Sequence, residues 1–155
     1  MSAPERLWRR VWNMLAIGSI GTVDDSGTAQ RAQVKVGYLE TIPAASVVQQ
    51  FGLASVPPPG TDAVVIFLAG NRASGVVIGT NNQSLRPTGQ SPGETTLFNA
   101  FSMSVALTES GIVINGGGKP VTVTNGDLHA GNIVAAGTVA VTGEITVNGT
   151  TLAVP

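Results

Sequence analysis

Residues able to do chemistry are sparse in this chain. The single histidine, His129, stands between Leu128 and Ala130, with Asp127 and Gly131 close by. One imidazole cannot build a His-rich metal cluster within a chain, although three copies on a symmetry axis could surround an ion. A solvated or locally hydrogen-bonded histidine is the simpler reading. Asp24 and Asp25 are neighbouring carboxylates that could pair as acid and base. They open the run Asp24-Asp25-Ser26-Gly27, whose composition is that of a turn, and the turn reading is preferred. Gly116-Gly117-Gly118-Lys119 superficially resembles a phosphate loop. Pro120 follows the lysine where that motif needs Ser or Thr, and no helical pattern follows, so this is a flexible turn. There is no cysteine, which excludes disulfides and thiolate metal ligands. No residue is assigned a catalytic, cofactor-binding or metal-binding role.

Composition narrows the field. Charged residues make up 11% of the 155, against about 25% in ordinary globular domains. Hydrophobic residues reach 43%, but aromatics only 5%, and there are 20 glycines and 9 prolines. Small and β-branched side chains must do most of the packing, which favours strands. The net charge of −1 gives no basic footprint for nucleic acid. No apolar run approaches the roughly 18 residues of a membrane helix. Arg6, Arg9 and Arg10 precede a mildly apolar stretch, but Asn13 and Gly18-Ser19 interrupt it. The segment reads as an amphipathic N-terminal arm, not a signal peptide.

The elements that would position these residues follow from periodicity. Residues 4–14 suit one short helix, with Leu7, Val11, Met14 and Leu15 near helical spacing. Trp8 and Trp12 are four apart and share a face of it. From Leu15 onward the pattern becomes strand-like: 16–23, then 28–38 after the Asp-Asp-Ser-Gly turn, 46–51, 63–68 and 73–78. The nearly continuous apolar run 63–68 predicts a strand buried on both faces. Five strands in this span predict a small Greek-key barrel of the OB type. A polar connector runs over 81–93. From Thr95 to Pro155 the only charged residues are Glu109, Lys119, Asp127 and Glu144.

Glycines then recur every six residues, at Gly131, Gly137, Gly143 and Gly149. Two and four places after the first three glycines lie Ile133 and Ala135, Val139 and Val141, Ile145 and Val147; Thr151 and Ala153 follow the fourth. In a strand these positions share one face, while Asn132, Thr138, Glu144 and Thr150 lie on the other. Four segments make little more than one coil of a single-chain β-helix, too few to cover a core. Three chains, each supplying one wall of an intertwined β-helix or prism, would close a common core. Ile133, Ala135, Val139, Val141, Ile145 and Val147 are its expected lining. Trimerisation and folding of this tail should be coupled, since burying each Ile or Val is worth roughly 1.5–3 kcal/mol.

An ordered series of motifs resembles Mu-like phage baseplate assembly proteins, the central tail-spike or baseplate-puncturing family. It comprises Phe51-Gly52, the turn Ser55-Val56-Pro57-Pro58-Pro59-Gly60, the apolar strand at 63–68, Gly70-Asn71-Arg72 and the second apolar strand at 73–78. Arg86-Pro87 and Gly93-Glu94 complete it. The resemblance covers about 16–118 and continues in style to residue 155. It implies an OB-like domain seated on a baseplate hub and a C-terminal triple-stranded β-helix pointed at the host, in a homotrimer that acts mechanically on sheath contraction. The domains would be an arm at 1–14, a hub-binding barrel with its connector at 15–93 and a trimeric spike at 94–155. The location would be the virion tail baseplate, after synthesis in the host cytoplasm. The partners would be further copies of the chain, the hub protein and, transiently, the host outer envelope; no nucleic acid is expected. Trp8 and Trp12 would either anchor the arm to the hub or pack on the barrel. Related spikes often end in a stretch like Ser/Thr-Leu-x-x-His-x-His that holds an axial ion. Here Thr151-Leu152 is followed by Ala153-Val154-Pro155, and no His-x-His occurs. Leu152, Ala153, Val154 and Pro155 would then form an apolar ring contacted by a separate tip protein.

Two other classes compete. A trimeric hexapeptide-repeat acyltransferase would need a catalytic histidine between coils and many more hexads. An OB module for single-stranded nucleic acid or sugar would need aromatics and cations on the barrel face. Only Tyr38, Phe51, Phe67, Arg31, Lys35 and Arg72 are on offer there.

Overall fold

The fold was described from a computed structural model, in which residues 3–142, 145–147 and 150–152 are described. Two compact units emerge, Met1–Lys119 and Pro120–Pro155. The first opens with helix α1 (Ala3–Trp12) and continues directly into a closed barrel. Its strands are β1 (Leu15–Asp24), β2 (Arg31–Val36), β3 (Glu40–Val47), β4 (Asp62–Phe67) and β5 (Gly75–Asn81), in the order β1-β2-β3-β5-β4. Only the β3–β5 contact is parallel. The small five-stranded barrel expected from the periodicity is present.

Alternation decides what lies inside. Along β4, Ala63, Val65 and Phe67 are buried while Val64 is exposed. The expectation that this run is buried on both faces is therefore corrected for the single chain. A closed barrel has one interior, and period-two geometry turns every other side chain outward. Ile20, Ala32, Val34, Ile42, Ala45 and Val77 join the same core. Phe67, fully buried, is its largest member.

The third strand also differs from the expected 46–51. It starts at Glu40, after a turn at Gly37, and ends at Val47. Pro43 conceals it, because a proline inside an apolar pattern argues against a ladder strand. The register explains how the proline fits. Ala32 pairs with Ala45 and Val34 with Ile42, so an extra β3 residue is absorbed in a bulge at Pro43 and Ala44.

Beyond the barrel, β6 (Thr95–Phe98), β7 (Ser104–Thr108) and β8 (Gly111–Asn115) form an antiparallel meander within the first unit. In the second unit, residues 120–142 carry neither helix nor strand, whereas the hexad pattern predicts short strands from Gly131 onward. A strand needs a neighbour for its backbone hydrogen bonds, and the hexads at 131–142 have none among the described residues. β9 (Ile145–Val147) and β10 (Thr150–Leu152) pair antiparallel, an arrangement that the hexad reading does not contain.

Candidate functional site

Strand directions give the barrel two poles. β1 begins at the pole where β2 turns into β3 and where β4 turns into β5. Helix α1 stands at this pole, against the short 3-10 turn Leu68–Gly70 between β4 and β5. The remaining loops, and the exit of the chain from β5 toward β6, lie at the opposite pole.

The helix pole is locked by backbone and charge. Gly70 has φ +71°, and a Cβ there would come within 2.6 Å of the Arg10 carbonyl oxygen. Only glycine suits both the left-handed geometry and this approach. The amide of Phe67 donates to the Met14 carbonyl at 2.8 Å, tying the end of the arm to β4. On the β4–β5 turn, Arg72 forms a two-pronged ion pair with Glu40 at the head of β3. Its Nε donates to Glu40 Oε1 at 2.8 Å, and Nη2 donates to Oε2. The guanidinium also lies over the Phe67 ring, 3.9 Å from its centre. The Arg72 hydrogen bond holds the Glu40 carboxyl below its usual range, while the Arg72 guanidinium is pushed up, chiefly by that same bond. Arg72 thus fastens two turns together and covers the outer end of the largest core side chain.

The opposite pole is held by polar side chains. Asp24 Oδ1 accepts from the Ser26 amide at 3.0 Å and from its hydroxyl at 2.7 Å. These bonds, the side-chain one first, lower the Asp24 carboxyl. Asp25 accepts from Gln30 Nε2 at 2.8 Å. Both carboxylates serve the turn, as the sequence composition suggests. Gln30 and Gln49 both donate to the Ser55 carbonyl, joining this turn to the long β3–β4 loop. Gly60, at φ +85°, and Thr61 end that loop. The Thr61 hydroxyl donates to the Pro58 carbonyl at 2.7 Å and accepts from Asn82 Nδ2 at 3.0 Å, and the residue is buried. A groove of about 580 Å³ lies beside it, lined among others by Val56, Pro57, Leu85, Arg86, Phe98 and Phe101. Arg86 is the only charged residue of its lining, so no acid–base pair faces it.

The other sequence candidates separate cleanly. Gly116 to Lys119 is a turn closed by the Lys119 amide on the Gly116 carbonyl at 2.9 Å. His129 is exposed, and no group of three potential metal ligands occurs among the described residues. Trp8 and Trp12 are exposed, so they do not pack on the barrel of their own chain. Ile133, Ala135, Val139 and Val141 are exposed as well, and Ile145 is half-buried on β9. None of them joins the buried core of the described residues. The Val147 and Leu152 side chains, and all of Ala153, Val154 and Pro155, lie outside the described residues. Sequence reasoning misses the roles of Glu40, Thr61 and Gly70. The pairs they form are distant along the chain and leave no periodic trace. The Gly70-Asn71-Arg72 motif is the one pointer to them.

With this geometry established, comparison with known proteins shows that the chain is similar to phage Mu gp45 proteins. Residues 18–84, nearly all of the barrel, match the family described as Bacteriophage Mu Gp45, N-terminal. The baseplate puncturing device gp45 of Escherichia phage Mu is 29% identical over 105 residues, covering 68% of this chain and 53% of that protein. The Mu-like prophage FluMu protein gp45 of Haemophilus influenzae is 28% identical over 95 residues, 61% of this chain and 52% of that protein. The chain spans about half the length of these curated relatives. The name of the Mu relative assigns that protein to the phage baseplate.

Proposed function

We propose that this chain is the central spike of a contractile tail baseplate, a structural protein that works mechanically and not as an enzyme. The observation that carries the reading is the match of the barrel, residues 18–84, to the Mu Gp45 N-terminal family. In this reading residues 1–14 are an arm and the OB-like barrel with its connector, 15–93, attaches to the hub. Residues 94–155 of three chains intertwine as a triple-stranded β-helix or prism. Sheath contraction drives that prism through the host envelope. Exposed Ile133, Val139 and Val141 support the trimer, since a lone chain leaves them in water. Sedimentation of the purified protein at micromolar concentration tests this directly. An elongated trimer is expected; a monomer would overturn the assembly. A truncation after about Gly93 should still bind the hub, more weakly for want of avidity. Hub binding by the isolated C-terminal segment alone would reverse the division of labour.

A further inference from the structure

Helix α1 is amphipathic in the opposite sense to a helix docked on its own domain. At about 100° per residue, Leu7, Val11, Trp8 and Trp12 fall on one side. Arg10 lies beyond Leu7, Glu5 and then Arg9 lie beyond Trp12, and Arg6 is on the far side. A helix seated on a barrel would turn its apolar stripe inward. Here the four stripe residues are 51–78% exposed, Trp12 the most. The helix is held instead through its Arg10 backbone against Gly70. The stripe is thus presented outward, at the pole opposite the exit of the chain toward β6.

Charge identifies what covers it. Around the stripe three arginines, Arg6, Arg9 and Arg10, outnumber the one carboxylate of the helix, Glu5, which lies beside Trp12. Copies of α1 packed stripe to stripe would crowd Arg9 and Arg10 against their like, which is destabilising. A partner presenting an apolar groove rimmed by carboxylates meets both the stripe and its flanks. Tryptophan and arginine are also the side chains that most often dominate such contacts.

We infer that α1 is the attachment helix of this protein, inserting Trp8 and Trp12 into an acid-rimmed apolar groove on the baseplate hub. This inference rests on the proposed spike function and specifies the surface it uses. The test uses the full chain and the purified hub protein of the same virion, with affinity and sedimentation mass measured together. The double variant Trp8→Ala/Trp12→Ala should bind at least tenfold more weakly while keeping the mass and circular dichroism of the wild type. Arg9→Glu/Arg10→Glu should do the same and should lose the salt dependence of binding. Unchanged binding by both variants would overturn the assignment. So would a fall in oligomeric mass, which would make the stripe a contact between copies. Binding of α1 to vesicles of equal phosphatidylglycerol and phosphatidylcholine, with hub affinity unchanged in the variants, would make it a membrane-surface helix instead. Failure of the wild type itself to bind hub would remove the spike reading and this inference together.

Discussion

Residues 15–81 and residues 120–142 use similar aliphatic side chains to opposite ends. In the barrel, Val34, Val65 and Val77 are fully enclosed by strands of the same chain. In the later segment Val121, Val123, Ile133, Val134, Val139 and Val141 are all exposed. The meander resembles the later segment in this respect, with Ile112, Val113 and Ile114 of β8 exposed. Closure makes the difference: a five-stranded barrel supplies both the ladder partners and the cover for its core, whereas a single hexad supplies neither. The stability of the barrel should therefore belong to one chain, and that of the tail to an assembly.

The comparison breaks most sharply at Ile145. Aspartate there would place three carboxylates in the proposed common core, and unpaired buried charge is prohibitive. Ile145→Asp should abolish the trimer in sedimentation while the barrel still unfolds at its usual denaturant midpoint; Val141→Asp should behave alike. The converse variant is Phe67→Ala. Truncating this buried ring should cost about 3–5 kcal/mol, a large share of the roughly 5–15 kcal/mol typical of a domain. Urea denaturation should show it as a lower midpoint for the barrel transition.

Smaller changes sharpen the contrast within the barrel. Thr61→Val keeps the shape but leaves Asn82 without its acceptor, while the Pro58 carbonyl keeps only the Thr61 amide at 3.2 Å, for about 1–2 kcal/mol. The Arg72–Glu40 pair should contribute less, on the order of 1 kcal/mol or below, because both side chains are about a third exposed. Its pH dependence has a definite sign. The folded carboxyl of Glu40 is depressed below the ordinary 4.5, so its contribution is full above that value. It is lost as pH falls through the lower folded value. The stability difference between wild type and Glu40→Gln should therefore be constant near neutrality and shrink below about pH 4.5. A difference that grew on acidification would contradict the pairing.

Most of the barrel is legible in the order of its residues. Alternation in Ala32, Val34 and Val36, the Asp24–Gly27 turn and the two apolar runs at 63–68 and 73–78 carry it. What escapes is non-local or masked. Pro43 hides the first half of β3, because its bulge requires a partner strand to be seen. The strands at 95–115 merge with the glycine-rich tail because both are poor in charge. Trp8 and Trp12 can be placed on one helical face, but not turned away from the barrel. That orientation follows from the approach of Gly70 to Arg10, which no window of sequence contains.

The pairing of Leu15 with Ile66 also sets an order of events during synthesis. β1 can zip to β2 early, but its second edge stays open until β4 has left the ribosome, and β3 waits, over a shorter stretch of chain, for β5. Such high contact order makes closure slow, and open edges invite mispairing in the interval. The hexads emerge after the last barrel strand. Nascent chains therefore meet with their barrels already closed or closing, and three docked barrels would hold the tails at high effective concentration. In the proposed trimer the barrel would then act as a folding clamp for the hexads.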